Sequence, residues 1–368
     1  WLAEARAVAM GYAPGVFNDG AEPLVEPFRA AIKQYNLIGL VVTVLIGLAG
    51  GAYSFLKLRP DFRARTRVER IVMAILLTAS LVAILTTFGI FASLVFETIR
   101  FFGMVSPIDF LFGTKWSPDP MVPADAVDPS RYGAIPLFWG TIFIGAIIAM
   151  IVAIPLGLMS AIYLTQYADP KVRAWIKPML EILAGVPTVV YGYFAALTVA
   201  PAIRDAAVAI GISNASTESA LAAGVVMGVM IIPFVSSMAD DSMAAVPNAM
   251  RDGSLAMGAT KSETIQRVLF PAALPGIVAG IMLAVSRAIG ETMIVVMAAS
   301  TAANLTANPL DRMTTVTVQI VKMLTGEGDF DHPATLSAFA LGFVLFMVTL
   351  ALNFIALRVV KRFREAYE

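Results

Sequence analysis

Seven apolar runs divide this chain, at about 36–56, 70–96, 136–165, 179–200, 220–239, 273–298 and 335–357. Each approaches or exceeds the ~20 residues that a helix rising 1.5 Å per residue needs to cross the hydrocarbon of a bilayer. The second and third are long enough to tilt or to extend past it. Polar connections fall between them at 57–69, 97–135, 166–178, 201–219, 240–272 and 299–334, with a tail at each end. The pattern predicts an all-α polytopic membrane protein. Pro155 and Pro187 lie within the third and fourth runs and are expected to interrupt their helices, permitting rocking between states.

Composition agrees with this pattern. Hydrophobic residues make up 58% of the chain and charged residues 14%, with a mean hydropathy of +0.80. A soluble domain carries about 45–50% apolar and about 25% charged residues, so most of this chain belongs in lipid. The formal net charge of +0 gives no ground for a nucleic-acid partner. With no cysteine, disulfides, thiolate metal sites and cysteine nucleophiles are excluded. The single histidine, His332, cannot supply a histidine metal cluster, and a Ser-His-Asp triad is implausible. No metal role is assigned to it.

Lysine and arginine set the orientation. The connections 57–70, 166–178 and 240–272 and the tail 358–368 carry sixteen of them, against nine in the alternate set. By the positive-inside rule the richer set is cytoplasmic, which places 240–272 and the C-terminus inside and the N-terminal tail outside. An external tail that begins at Trp1 fits a processed terminus or a missing upstream span. Residues 1–69 are expected to be an appendage: an external tail, one transmembrane segment and a basic linker. The basic stretch Arg59 to Arg67 would fix orientation and touch lipid head groups.

Within the sixth run lies Ser286-Arg287-Ala288-Ile289-Gly290-Glu291-Thr292-Met293, and Arg287 and Glu291 are its only charges. On a continuous helix they are one turn apart on one face, close to the bilayer midplane. An arginine there costs about 2.5–3.5 kcal/mol by insertion scales, so it needs a partner, a watery cavity or a task. Two readings stand: a transport pathway, or a structural pair that pins helix packing. Ser286 and Thr292 flank the pair, and their hydroxyls either meet a substrate or satisfy their own helix backbone. Tyr191 and Tyr193 either line the pathway or sit in an aromatic belt. Asp240 and Asp241 end the fifth run and are expected to be solvated.

The 240–272 connection alternates small and apolar residues: Asp252-Gly253-Ser254-Leu255-Ala256-Met257-Gly258-Ala259-Thr260, then Lys261 to Pro271. A helix, a glycine break and a second helix ending before Pro271 is the predicted form. Residues 264, 265, 268 and 269 would give the second helix an apolar face suited to a protein groove. The segment resembles the E-A-A-x3-G-x9-I-x-L-P signature of type-I ABC importer permeases. Gly258 takes the glycine position, Val268 the isoleucine, Phe270 the leucine and Pro271 the proline, while Asp252-Gly253-Ser254 replaces E-A-A. The Arg287-to-Thr292 string is similar to the R-A-x-G-E-T motif of phosphate-uptake (Pst) permeases, and Met293-Ile294-Val295 resembles the C-type subunit. Gly140-Thr141, Ala153 to Gly157, Glu181 to Pro187 and Phe110 to Pro118 also resemble that subunit, so the likeness covers about 70–358.

The resemblance implies a type-I ABC importer transmembrane domain with an extra N-terminal transmembrane segment, in a bacterial inner membrane. The expected parts are a first permease helix and external loop at 70–135, the permease core at 136–358 and a cytoplasmic tail at 359–368. It implies a homologous second permease, two cytosolic ATPase subunits, an external phosphate-binding protein, and phosphate as substrate. The loop residues Asp252, Gly253, Ser254, Gly258, Ala259 and Pro271 would couple to the ATPase. The chain carries no G-x-x-x-x-G-K-[ST] loop, so ATP and Mg would be bound by the partner and no cofactor is expected in this chain.

Phosphate also suits the residues chemically. An arginine fork donates two parallel hydrogen bonds to a tetrahedral oxyanion and stays charged. Glu291 can accept from the hydroxyl that phosphate carries near neutral pH and sulfate lacks. Competing readings are a permease for another oxyanion, such as molybdate or sulfate, and a proton-coupled secondary transporter with Glu291 as its proton site. An intramembrane enzyme ranks below both, because no paired-Asp or Ser-His arrangement lies in the runs.

Overall fold

The computed structural model describes residues 1–56, 64–123, 126–326 and 329–364. Among them the regular elements are helices: α1 (Leu2–Ala9), α2 (Glu22–Leu56), α3 (Ala64–Phe102), α4 (Pro107–Phe112), α5 (Ile135–Tyr167), α6 (Pro170–Ala184) and α7 (Thr188–Ala209). They continue as α8 (Ala220–Ala244), α9 (Asn248–Ala256), α10 (Lys261–Ile289), α11 (Met293–Ala298), α12 (Val316–Leu324) and α13 (Pro333–Arg364). An isolated β-bridge joins Trp116 to Tyr132. Among the described residues six helices are long and apolar enough to cross a membrane, or seven if the bent pair α6–α7 is one span.

The chain divides into two compact units, Trp1–Leu85 and Thr86–Glu368. In the first, the Glu4 carboxylate accepts the backbone N–H groups of Phe17 and Asn18, and the bond from Phe17 holds it below the usual carboxylate range. The long apolar α2 buries none of its residues, as befits a helix solvated by lipid. Of the basic stretch 59–67, residues 59–63 lie outside the described residues, while Arg65 pairs with Glu69 at 2.7 Å.

The second unit is built around α8, the most enclosed of the spans. Small residues let its neighbours approach, because lipid supplies no hydrophobic drive and close van der Waals packing must hold the helices. A Cβ placed on Gly228 would come within 2.8 Å of the Ala149 carbonyl of α5. On another face, Gly276 and Gly280 of α10 lie against Ser242 and Met238.

Four expectations are corrected. The fourth run is not one straight span over 179–200: α6 and α7 meet at an 87° bend around Gly185–Pro187, where Pro187 cannot continue α6. The sixth run is not one helix over 273–298: α10 begins at Lys261 and ends at Ile289, and the chain resumes as α11. The second helix of the 240–272 connection does not end before Pro271. It passes through, because a π-helical turn over Ile265–Leu269 shifts the bonding where the Pro271 N–H is missing. Pro155, likewise, interrupts nothing and lies inside the helical stretch Ala149–Ile162.

The 299–334 connection is more than a polar loop. Gly140 lies so close to Thr314 that an added Cβ would fall 2.0 Å from the Thr314 carbonyl oxygen, and the Val316 N–H donates to Thr141 Oγ1 at 3.0 Å. From there α12 packs beside the start of α13, with Val316 clustered with Ala340 and Leu341, and Met323 with Ala334 and Ala338. The segment thus folds back between the beginnings of α5 and α13.

Candidate functional site

Depth can be read from helix register. The pairings of Gly276 with Ser242 and of Gly280 with Met238 set α10 antiparallel to α8. Continued along α10, the same register brings Arg287 level with Ile231, near the middle of α8. The arginine therefore sits at mid-depth, in the last turn of its helix. It is exposed on the surface of the chain and makes no hydrogen bond or ion pair among the described residues.

The expected one-turn ion pair with Glu291 is not formed. α10 stops two residues after Arg287, so the i, i+4 face that would join them does not exist. The Glu291 Oε1 instead accepts the backbone N–H of Met293 at 3.0 Å, at the start of α11. Each charge ends up at the helix terminus that suits it: a cation at a C-terminus and a carboxylate at an N-terminus. Glu291 Oε2 takes no hydrogen bond among the described residues. The Glu291 carbonyl accepts from Thr317 Oγ1 of α12 at 2.9 Å.

The flanking hydroxyls fall to other uses. Ser286 Oγ donates to Asn353 Oδ1 of α13 at 3.1 Å, a bond between helices rather than to its own backbone. Thr292 Oγ1 makes a long 3.5 Å contact with the Gly290 carbonyl. Both lie beside the interruption between α10 and α11.

A second interruption lies at a similar depth. Along the C-terminal half of α8, Lys177 of α6 reaches Asp240, and a small cavity between the two helices is lined by Leu180, Glu181, Pro233 and Ser236. The break after Ala184 therefore comes near the middle of α8. Across it, Tyr191 Oη donates to the Leu183 carbonyl at 2.9 Å, satisfying one of the last acceptors of α6. Beyond it, α7 packs on α11, with Gly192 against the Met293 carbonyl and Ile294. Tyr193, by contrast, is 60% exposed. Unwound backbone at membrane depth is tolerated where it lines protein or a watery cavity. The two breaks are joined by the packing of α7 on α11.

Asp240 corrects the expectation of a solvated carboxylate. It is 5% exposed and accepts from Thr165 Oγ1 (2.6 Å), from Arg173 through both oxygens (3.1 Å each) and from Lys177 Nζ (2.6 Å). Its neighbour Asp241 is exposed, as expected. Nothing in the sequence spacing distinguishes the two. The signal available was the triplet Lys171, Arg173 and Lys177 on a segment with an apolar face, whose charges need a partner.

The 240–272 connection has the predicted glycine break. Asp252, Gly253 and Ser254 lie on α9, and Gly258 turns the chain at φ +85°, a conformation that disfavours any side chain. Ala259 follows, and a capping box between Thr260 and Glu263 starts α10. Ser254 Oγ and Thr264 Oγ1 lie 2.9 Å apart and tie α9 to α10. The apolar face expected at 264, 265, 268 and 269 is not free for a partner: Thr264, Ile265 and Leu269 are buried within this chain. The exposed apolar side chains are instead Met250, Leu255 and Met257, on and just after α9. Pro271 is half-buried in α10.

The connections 97–135 and 299–334 are tied together by polar bonds. Trp116 Nε1 donates to Gln319 Oε1 at 3.1 Å, and Arg131 Nε donates to Ser117 Oγ at 3.1 Å. His332 accepts the Ala334 N–H at Nδ1 (3.1 Å), so Nε2–H is the donor to the Val122 carbonyl (2.8 Å). No group of three or more metal-binding side chains occurs among the described residues.

Broken spans, an exposed cation without a partner among the described residues level with the middle of α8, and a helix–turn–helix between two spans suit the membrane subunit of a transporter. The family model described as "Binding-protein-dependent transport system inner membrane component" matches residues 153–365, and the chain belongs to that family. It is a multi-pass transport component rather than an enzyme. Among its relatives, the probable ABC transporter permease protein YqgH of Bacillus subtilis is 33% identical over 245 residues, 67% of this chain and 75% of that one. The phosphate transport system permease protein PstC of Xylella fastidiosa strain Temecula1 is 30% identical, covering 68% and 77%. PstC 1 of Mycobacterium tuberculosis is 31% identical, covering 69% and 82%. A crystal structure of a bacterial alginate ABC transporter, in complex with a pentasaccharide-bound periplasmic protein, shares the fold. Its TM-score is 0.51 at 13% identity, over 82% of this chain and 98% of that one.

Proposed function

We propose that this chain is the C-type permease of an ATP-driven, binding-protein-dependent importer of inorganic phosphate, with Arg287 meeting the anion in passage. The observation that carries the reading is a guanidinium without a partner among the described residues, exposed level with the middle of α8 and two residues before α10 ends. Left against lipid it would cost about 2.5–3.5 kcal/mol. A water-filled pathway shared with a second permease removes that cost and gives the fork an oxyanion to bind. The relatives named phosphate transport system permease support the choice of anion.

Glu291 fits the same chemistry. With Oε1 held by the Met293 N–H, Oε2 is left to accept a phosphate hydroxyl, and its charge keeps the arginine from trapping the anion. Ser286 and Thr292 stand next to the pathway.

The system would comprise this chain, a homologous permease, two cytosolic ATPase subunits that bind ATP and Mg, and an external phosphate-binding protein. It would sit in a bacterial plasma membrane with its C-terminus inside. The ATPase would dock on Asp252, Gly253, Ser254, Gly258 and Ala259, with Pro271 in the helix behind. Residues 1–69 form the appendage, 70–135 the first helix and external loop, 136–358 the core and 359–368 the tail.

Arg287→Lys in the reconstituted complex tests the reading. It keeps a charge and loses the fork. Uptake is expected to fall by at least about 100-fold with assembly intact. Normal uptake, or failed assembly alone, overturns it. Glu291→Gln should relax exclusion of sulfate; unchanged rate and selectivity would remove the glutamate from the mechanism.

A further inference from the structure

The Asp240 cluster has no part in binding the anion, yet it joins three elements at one point. Thr165 comes from the cytoplasmic end of α5, Arg173 and Lys177 from α6, and the carboxylate from α8. Its place in the chain gives it mechanical meaning. α8 leads into α9 through Ala245–Pro247 alone, so the carboxylate sits just before the proposed ATPase-facing helix. At its other end, α6 leads into the bend at Gly185–Pro187.

α6 has little else to fix it. None of its residues is buried, and Trp175, Met179, Ile182 and Leu183 are exposed. Three polar bonds from Arg173 and Lys177 to one buried carboxylate, which Thr165 of α5 also engages, therefore hold this half-span. We infer that Asp240 is a positioning residue for energy coupling: it clamps α6 to α5 and α8, so that movement of α9 is carried to the bend at Gly185–Pro187. The chemistry suits a clamp. Both carboxylate oxygens are engaged, each accepting from the same Arg173 nitrogen, and bonds between charged groups are stronger and more directional than neutral ones. Without the carboxylate, two cations would face each other in the inner half of the membrane with nothing between them.

The inference rests on the proposed coupling role of 240–272, so the experiment separates the two. The complete complex is reconstituted with its ATPase and binding protein, and phosphate moved per ATP hydrolysed is measured. Asp240→Asn, which keeps the shape, is expected to lower that ratio about tenfold while hydrolysis stays within about twofold. Arg173→Gln leaves the Lys177–Asp240 pair and is expected to lower it by a smaller factor. It decides the matter if Asp240→Asn fails to assemble. An unchanged ratio in an assembled variant overturns the clamp, as does a parallel fall in transport and hydrolysis. Met257→Asp is the control for the loop. If stimulated hydrolysis survives it, the ATPase docks elsewhere and the coupling reading fails, whatever Asp240 does.

Discussion

The hydroxyl of Ser286 donates to the side-chain carbonyl of Asn353 at 3.1 Å, fastening α10 to α13 one residue before Arg287. A bond of this kind is worth about 0.6 kcal/mol on average in membrane proteins, and at most about 1.7. Ser286→Ala and Asn353→Ala should each lower stability by about that much, and the double variant by little more than either single one. Because the bond joins helices rather than substrate, uptake should persist in all three. Thermal unfolding in detergent, compared through a double-mutant cycle, measures the first point. A loss of uptake with normal stability would move Ser286 into the pathway.

Gly140 sets the depth to which the 299–334 segment enters the bundle. A methyl group there would meet the Thr314 carbonyl oxygen at 2.0 Å, far inside contact distance, and neither backbone has room to give. Gly140→Ala should break the Val316-to-Thr141 bond and expose Thr314 and Thr315, at a cost of about 3 kcal/mol or more from overpacking and unpaired polar groups. Faster amide exchange over 313–319 in the purified protein would show it. Gly47→Ala, inside α2 with nothing within 4 Å of its added carbon, is the control and should cost no stability, adding up to about 1 kcal/mol through helix propensity.

Much of this fold was legible because lipid makes a simple demand: long apolar runs must be helices. What escaped notice was where they stop. The 273–298 run offered no proline or charge pattern at Gly290, and a continuous helix would have paired Arg287 with Glu291. The capping of α11 by that carboxylate is a tertiary outcome, fixed together with Thr317 from a distant segment. Asp240 and Asp241 show the same limit. They are adjacent and identical, yet one points toward α6 and the other to solvent, a difference of helical phase that needed the position of α6. Gly258, by contrast, could be placed as a turn at once, since the loop around it needs a residue that tolerates positive φ.

Met257 is 89% exposed beside that turn, with Leu255 and Met250 on the same short connection. Replacing Met257 with aspartate should cost the permease itself almost nothing, since surface substitutions usually lie within about 0.5 kcal/mol. If α9 is the ATPase surface, pull-down of the ATPase should weaken by about tenfold or more, as for an apolar anchor lost from an interface. Gly258→Val should do the same by another route, straining the turn that presents α9. Wild-type binding by both variants would place the docking surface elsewhere.

Tyr132 offers a test in pH. Its ring packs against Phe101 and Trp116, and its hydroxyl is buried with no hydrogen-bond partner among the described residues. Burial pushes the phenol up to about 12, from an ordinary value of 10.0. Below pH 10 the group is neutral folded or unfolded and adds no pH dependence. Between about 10 and 12 the unfolded chain loses the proton while the folded one keeps it, so the unfolded state binds fewer protons and stability falls as pH rises. A shift of that size amounts to about 2–3 kcal/mol once pH exceeds the folded value. Tyr132→Phe removes this loss, and it also removes a buried hydroxyl that desolvation penalises, so at pH 8 it should be neutral or stabilising by up to about 1 kcal/mol. Unfolding midpoints of the two proteins, followed from pH 8 to 11 in the same detergent, should diverge in favour of phenylalanine as pH rises. Parallel curves would mean that the hydroxyl has a partner in solution and that the loop around residues 116–132 is more open than its packing indicates.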